Sequence, residues 1–164
     1  MNAALQNQLQ DGFRLLRVGQ MEQARAFAES LLQQFPESPE AYLYAADAAS
    51  LRGDHKGAIV FMDRILDRRP ADQELLIRKA ELLFNDSQRA AALAVARQVV
   101  DAGAQNERLV RAVGRILSDC QDLEGAREWL LDAAEKLPDS RAVLADLAFA
   151  EFQLNLPAEA GQHI

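Results

Sequence analysis

The chain has 164 residues, of which 49% are apolar and 6% aromatic. That is enough apolar material for one ordinary domain or a short repeat array, and it argues against a disordered chain. A formal net charge of −7 argues against nucleic acid as the main partner and against a polybasic membrane surface, both of which need a surplus of Lys and Arg.

Apolar spacing predicts helices over residues 3–17, 20–34, 38–51, 55–68, 72–85, 88–101, 106–118, 122–136, 140–153 and 157–164, and no strand. In the third of these, Tyr42, Leu43, Ala45, Ala46 and Ala49 recur at helical intervals. Arg52-Gly53-Asp54 follows, with Gly as a helix stop and Asp as an N-cap. Ala58, Ile59, Met62, Ile65 and Leu66 form the stripe of the next helix, and Pro70 closes it because proline cannot continue a helix.

The pattern repeats at a fixed period. Pro36 and Pro70 stand one period apart and Pro138 two periods further on, with Ala104 at the position between. Ala24, Ala58, Ala92 and Ala126 recur at the same interval, and so do Leu31, Ile65, Val99 and Ala133. Phe27, Phe61, Val95 and Trp129 form a fourth series, which makes Trp129 a packing residue. Small residues recur in both helices of each unit. Gly12, Ala46, Ala80, Gly114 and Ala148 lie on the first helix, and Ala24, Ala58, Ala92, Ala126 and Ala160 on the second. This register lets the paired helices approach closely. Five units are expected at about 5–38, 39–72, 73–106, 107–140 and a partial 141–164.

These residues resemble the tetratricopeptide repeat (TPR) family, whose unit is a helical hairpin of about 34 residues. Residues 39–70 carry the resemblance best, through Ala46, Gly53-Asp54, Ala58, Met62 and Pro70. The third unit is degenerate, with Asn85-Asp86-Ser87 at its turn. The resemblance implies an all-α, right-handed α-solenoid of antiparallel hairpins, a single array over 1–164. It also implies a non-catalytic scaffold that binds a protein or peptide on the concave face formed by the first helices. The groove positions carried over from the family are Leu9, Phe13, Leu43, Tyr44, Asp47, Ile77, Arg78, Glu81, Phe84, Arg108, Arg111 and Arg115, joined by Glu74, Asp146, Phe149 and Phe152. Leu9, Phe13, Leu43, Tyr44, Ile77 and Phe84 are expected to form an apolar floor. Arg108, Arg111 and Arg115 form a basic strip at i, i+3, i+7, which either pairs with Glu74 and Glu81 one repeat earlier or holds carboxylates of an acidic peptide. The set of residues with which some family members clamp a C-terminal carboxylate is matched only at Arg78.

Nothing in the sequence argues for catalysis, a cofactor or a metal. His55, His163 and Cys120 have no metal-ligand spacing, no glycine loop for nucleotides occurs, and Cys120 reads as a half-buried structural thiol. No apolar run is long enough to insert in a membrane, and the start lacks a signal-peptide pattern, so a cytoplasmic protein is expected. The last unit is half a repeat, and the natural polypeptide is expected to continue past Ile164. Two alternative functions follow. One is the N-terminal substrate-recognition region of a larger enzyme, such as a TPR-bearing sulfotransferase or glycosyltransferase. The other is self-association through the C-terminal end.

Overall fold

The computed structural model describes residues 3–103, 106–156 and 161. Among the described residues it contains nine α-helices and no strand: α1 (Ala3–Arg17), α2 (Met21–Gln34), α3 (Pro39–Leu51), α4 (His55–Leu66), α5 (Gln73–Asn85), α6 (Arg89–Ala102), α7 (Glu107–Asp119), α8 (Leu123–Lys136) and α9 (Arg141–Gln153). Each of the first nine predicted helices is present. Several begin one residue later than expected, because the residue placed first is the cap and lies outside helical geometry. The Ser38, Asn106, Asp122 and Ser140 side chains accept from backbone N–H groups of the first turn that would otherwise lack a partner. The predicted helix at 157–164, with Ala160 and His163, and the register position Ala104 lie outside the described residues.

The chain divides into two compact units, Met1–Asp72 and Gln73–Ile164. In the first unit, α1 pairs with α2 and α3 with α4. Its core is built from Leu5, Leu9, Leu16, Ala24, Ala28, Leu31, Ala41, Tyr44, Ala45 and Ala48. In the second unit, α5 pairs with α6 and α7 with α8, and α9 packs on α7 and α8. Val95, Val99, Val110, Val113, Leu117, Leu130, Val143 and Leu147 are buried there.

The small-residue register is the contact surface of each hairpin whose two helices are described. Ala24, Ala58, Ala92 and Ala126 are wholly buried, as are Ala46 and Ala80 to within 1%. At two glycines of this register an added Cβ would force a neighbouring side chain to shift. One added at Gly12 would lie 2.6 Å from Phe27 Cε1 and 2.8 Å from the Tyr44 ring, and one at Gly114 would lie 2.9 Å from Leu130 Cδ2.

The turn after the first helix of every repeat has one geometry. Gly19, Gly53, Ser87, Gln121 and Asn155, each one repeat after the last, all have positive φ, between 58° and 78°. Each donates its N–H to the carbonyl three residues back, and the next residue donates to the carbonyl five residues back, at 2.8–3.2 Å. This is the Schellman closure, which satisfies the last helical carbonyls and needs one left-handed residue. Glycine adopts that conformation freely, whereas Ser87 and Gln121 pay for it in steric strain.

Two outcomes are expected. Gln121→Gly should raise the stability of the second unit by about 1 kcal/mol, read as a higher urea midpoint of Trp129 fluorescence. Gly12→Ala should lower the stability of the first unit by about 1–2 kcal/mol, since overpacking outweighs the gain in helix propensity. Tyrosine absorbance would follow that transition, both tyrosines being in the first unit.

Candidate functional site

Within Gln73–Ile164 the first helices α5, α7 and α9 line a groove of about 800 Å³. Helix α7 explains its chemistry. Val110, Val113, Ile116 and Leu117 turn into the core, which leaves Arg108, Arg111 and Arg115 along the exposed side. Glu74, Ile77, Arg78 and Glu81 come from α5, and Asp146 and Phe149 from α9. Gly114, Ala112 and Leu130 contribute to the lining, and the missing side chain of Gly114 leaves Leu130 part of it.

Two of the three arginines are engaged inside the groove. Arg115 pairs backward with Glu81 of α5 at 2.7 Å, one of the pairings expected from the sequence. Arg111 pairs forward with Asp146 of α9, donating from Nε at 2.6 Å. That hydrogen bond and the Asp146 charge raise the Arg111 pKa above its usual range. Both pairs are exposed and so contribute little to stability, on the order of 0–1 kcal/mol each. Their larger effect is orientation, since each ties a groove arginine to the neighbouring repeat. Arg108 is different. Its backbone N–H bonds the Asn106 side chain at 2.9 Å, and its guanidinium has no ion-pair or hydrogen-bond partner among the described residues.

The structure places the other groove candidates as follows. Ile77 and Arg78 line the groove, with Ile77 otherwise packed into the core at 4% exposure. Phe84 is half-buried and lies outside the lining; the Arg89 guanidinium sits 5.7 Å from its ring centroid. In Met1–Asp72, Phe13 is 43% exposed, and Leu43 and Asp47 are half-buried.

The expected apolar floor needs correction. Leu9 and Tyr44 are core residues, and Tyr44 is fully buried. The Tyr44 hydroxyl donates to the Gly12 carbonyl at 3.1 Å, and its ring meets Phe13 and Phe27 edge-on at 5.6 and 5.5 Å. The absent Gly12 side chain makes room for the ring, so a residue whose register reads as a groove position turns inward instead.

Trp129 fills a structural slot as expected, buried and donating from Nε1 to the Val110 carbonyl at 2.9 Å. Cys120 is half-buried, and burial together with Asp119 pushes its thiol pKa up, the direction opposite to an activated nucleophile. Sequence reading missed Glu151, which is 1% exposed and 3.3 Å from Arg127 Nε. A charged residue in an otherwise apolar helix stripe is the one signal that could have found it. Among the described residues, no group of three His, Cys, Asp or Glu could hold a metal ion, and no helix is long and apolar enough to cross a membrane.

Residues 15–82 match the protein-family model for the tetratricopeptide repeat. Solved structures share the fold. MamA (residues 41 to the end) from Desulfovibrio magneticus RS-1 superposes with a TM-score of 0.76 at 23% identity, over 99% of this chain and 92% of that one. Another MamA crystal structure gives 0.73 at 14% identity, over 93% and 89% of the two chains. YrrB, described as a TPR protein with an unusual peptide-binding site, gives 0.67 at 17% identity, over 93% and 78%. A search of curated protein sequences found no match.

The buried Tyr44 makes an expected pH response. Burial raises its pKa from 10.0 to about 12. A phenol whose folded pKa lies above its unfolded value contributes full stability below the unfolded pKa, and that contribution is lost as pH rises toward the folded one. The first unit should therefore lose stability between pH 10 and about 12. Urea titrations across that window check this, and Tyr44→Phe should flatten the response.

Proposed function

We propose, for a chain that carries tetratricopeptide repeats over residues 15–82 and shares a helical-repeat fold over 99% of its length with MamA, that it is a non-catalytic interaction scaffold. Its partner is a protein segment held in the α5–α7–α9 groove. The observation that carries this reading is the groove itself. Its volume of about 800 Å³ is lined by oriented arginines and by Phe149, which is 60% exposed. Concave sites of roughly 300–1,000 Å³ with a few placed polar groups are the usual form of a binding site. An exposed aromatic at such a place supplies apolar contact area at low conformational cost.

Support by analogy comes from YrrB, which has this fold and is described as having a peptide-binding site. Ile77, Arg78, Glu81, Arg108, Arg111 and Arg115 are the proposed contact residues of the groove. Phe13, Leu43 and Asp47 are the proposed contacts on Met1–Asp72.

The test is affinity capture from cells with the wild-type chain and with Phe149→Asp. Phe149 is exposed, so helicity by circular dichroism should be unchanged while captured partners are lost. Retention of the same partners by Phe149→Asp would show that the groove does not hold them.

A further inference from the structure

A second groove lies within Gln73–Ile164, on the side of the second helices. Helices α6 and α8 form its walls, and Leu117 of α7 contributes from between them, around a volume of about 630 Å³. Val100, Leu117 and Trp129 supply its apolar lining. The Trp129 nitrogen is turned to the Val110 carbonyl, so the ring offers the groove carbon alone.

The polar lining is acidic. Asp101, Asp122, Glu128 and Asp132 stand against one cation, Arg97. Arg97 pairs with Asp122 at 3.0 Å, and Asp122 also caps α8 by accepting from the Gly125 N–H. Lys136, from outside the lining, pairs with Asp132 at 2.6 Å. Asp101 and Glu128 then remain, both exposed and with no ion-pair partner among the described residues. Glu124, one helical turn before Glu128, adds a further exposed carboxylate to that face of α8. Among the described residues no group of three acids could hold a metal ion.

The fold does not require this charge. In Met1–Asp72 the same register two repeats earlier, with Glu29, Leu32, Ala49, Asp54 and Phe61, lines a slot of about 350 Å³. Gln33, Val60 and Arg64 stand there at the positions of Asp101, Glu128 and Asp132. The repeat therefore builds the slot with or without acids, and the acids belong to α6 and α8 in particular.

We infer that the α6–α8 groove docks a basic segment of a partner protein, whose arginines meet Asp101 and Glu128 and rest against Trp129. A guanidinium fits both parts of the lining, because it pairs with carboxylates through a planar fork of donors and stacks on aromatic rings. Its charge complements the two carboxylates that internal pairing leaves over. The site is separate from the α5–α7–α9 groove and does not depend on it. Attraction between exposed charges is screened by salt, so affinity should fall as ionic strength rises.

Trp129 is the chain's one tryptophan, so its fluorescence reports from the groove itself. Short Gly/Ser peptides carrying two Arg, two Gln or two Glu are titrated into the full ¹⁵N-labelled chain. The Arg peptide should change Trp129 emission, shift amides of α6 and α8, and bind about tenfold more tightly than the Gln peptide at low salt. The Glu peptide should bind most weakly. Asp101→Asn combined with Glu128→Gln should remove the Arg preference, with helicity by circular dichroism unchanged because both side chains are exposed. Asp11→Asn combined with Glu22→Gln takes the same charge from the first unit and should leave the preference intact. Equal losses from the two double variants would reduce the effect to net charge and overturn the groove. Equal binding of the Arg and Gln peptides, shifts confined to other helices, or no response to any peptide would do the same. Phe149→Asp should leave Arg-peptide binding unchanged; a loss there would place the peptide in the α5–α7–α9 groove instead and overturn the second site.

Discussion

Two helices of a hairpin can lie close only where neither carries a large side chain at the contact, and that requirement recurs once in every repeat of this protein. Gly12 and Gly114 state it most sharply, since a Cβ at either would press on Phe27 and Tyr44 or on Leu130. The wholly buried alanines of the second helices answer from the other side. Close approach brings dispersion contacts along the whole pair and lets apolar residues flanking the small ones interdigitate. It also removes the choice of which helix face turns inward. Once the small-residue stripe is committed to the partner helix, the remaining faces have to serve stacking or solvent.

The turns obey a constraint of a different kind. Their backbone is the same in all five places, yet the left-handed position is filled by Gly twice and then by Ser, Gln and Asn. Hydrogen-bond accounting explains the persistence. The last carbonyls of each first helix need donors, and the Schellman closure supplies two from the next residues of the chain. The geometry is enforced by the helices on either side, so a residue that tolerates it poorly is carried along at a modest cost.

The groove follows from both. With Gly114 of α7 packed on Leu130 of α8 and Val110, Val113, Ile116 and Leu117 in the core, the arginine side of the helix is left to line the groove, with Ala112 beside it. Neighbouring first helices then bring Glu81 and Asp146 into reach of Arg115 and Arg111. Internal pairing orients two arginines and, among the described residues, leaves the Arg108 guanidinium without an ion-pair partner.

Much of this was legible in the sequence. Helix positions follow from apolar spacing at the helical period, and the hairpin unit from four series in one register, because both are consequences of local periodicity. The pairing of Arg115 with Glu81 was legible for the same reason, as neighbours one repeat apart. Periodicity does not say how deep a side chain sits. Tyr44 occupies a register position that reads as groove, and the absence of a side chain at Gly12, nearly a full repeat earlier, draws it into the core, with the Gly12 carbonyl as its acceptor. Glu151 is buried against Arg127 of another helix in the same way. Arg111 turns forward to Asp146 instead of back to α5 because the acid of α9 stands within hydrogen-bonding reach of its Nε. Sequence alone determined the repeat and its helices, since these depend on residues a few places apart. Burial depth and ion-pair choice were decided by tertiary structure, since they depend on the space and the charges that distant residues bring to a side chain.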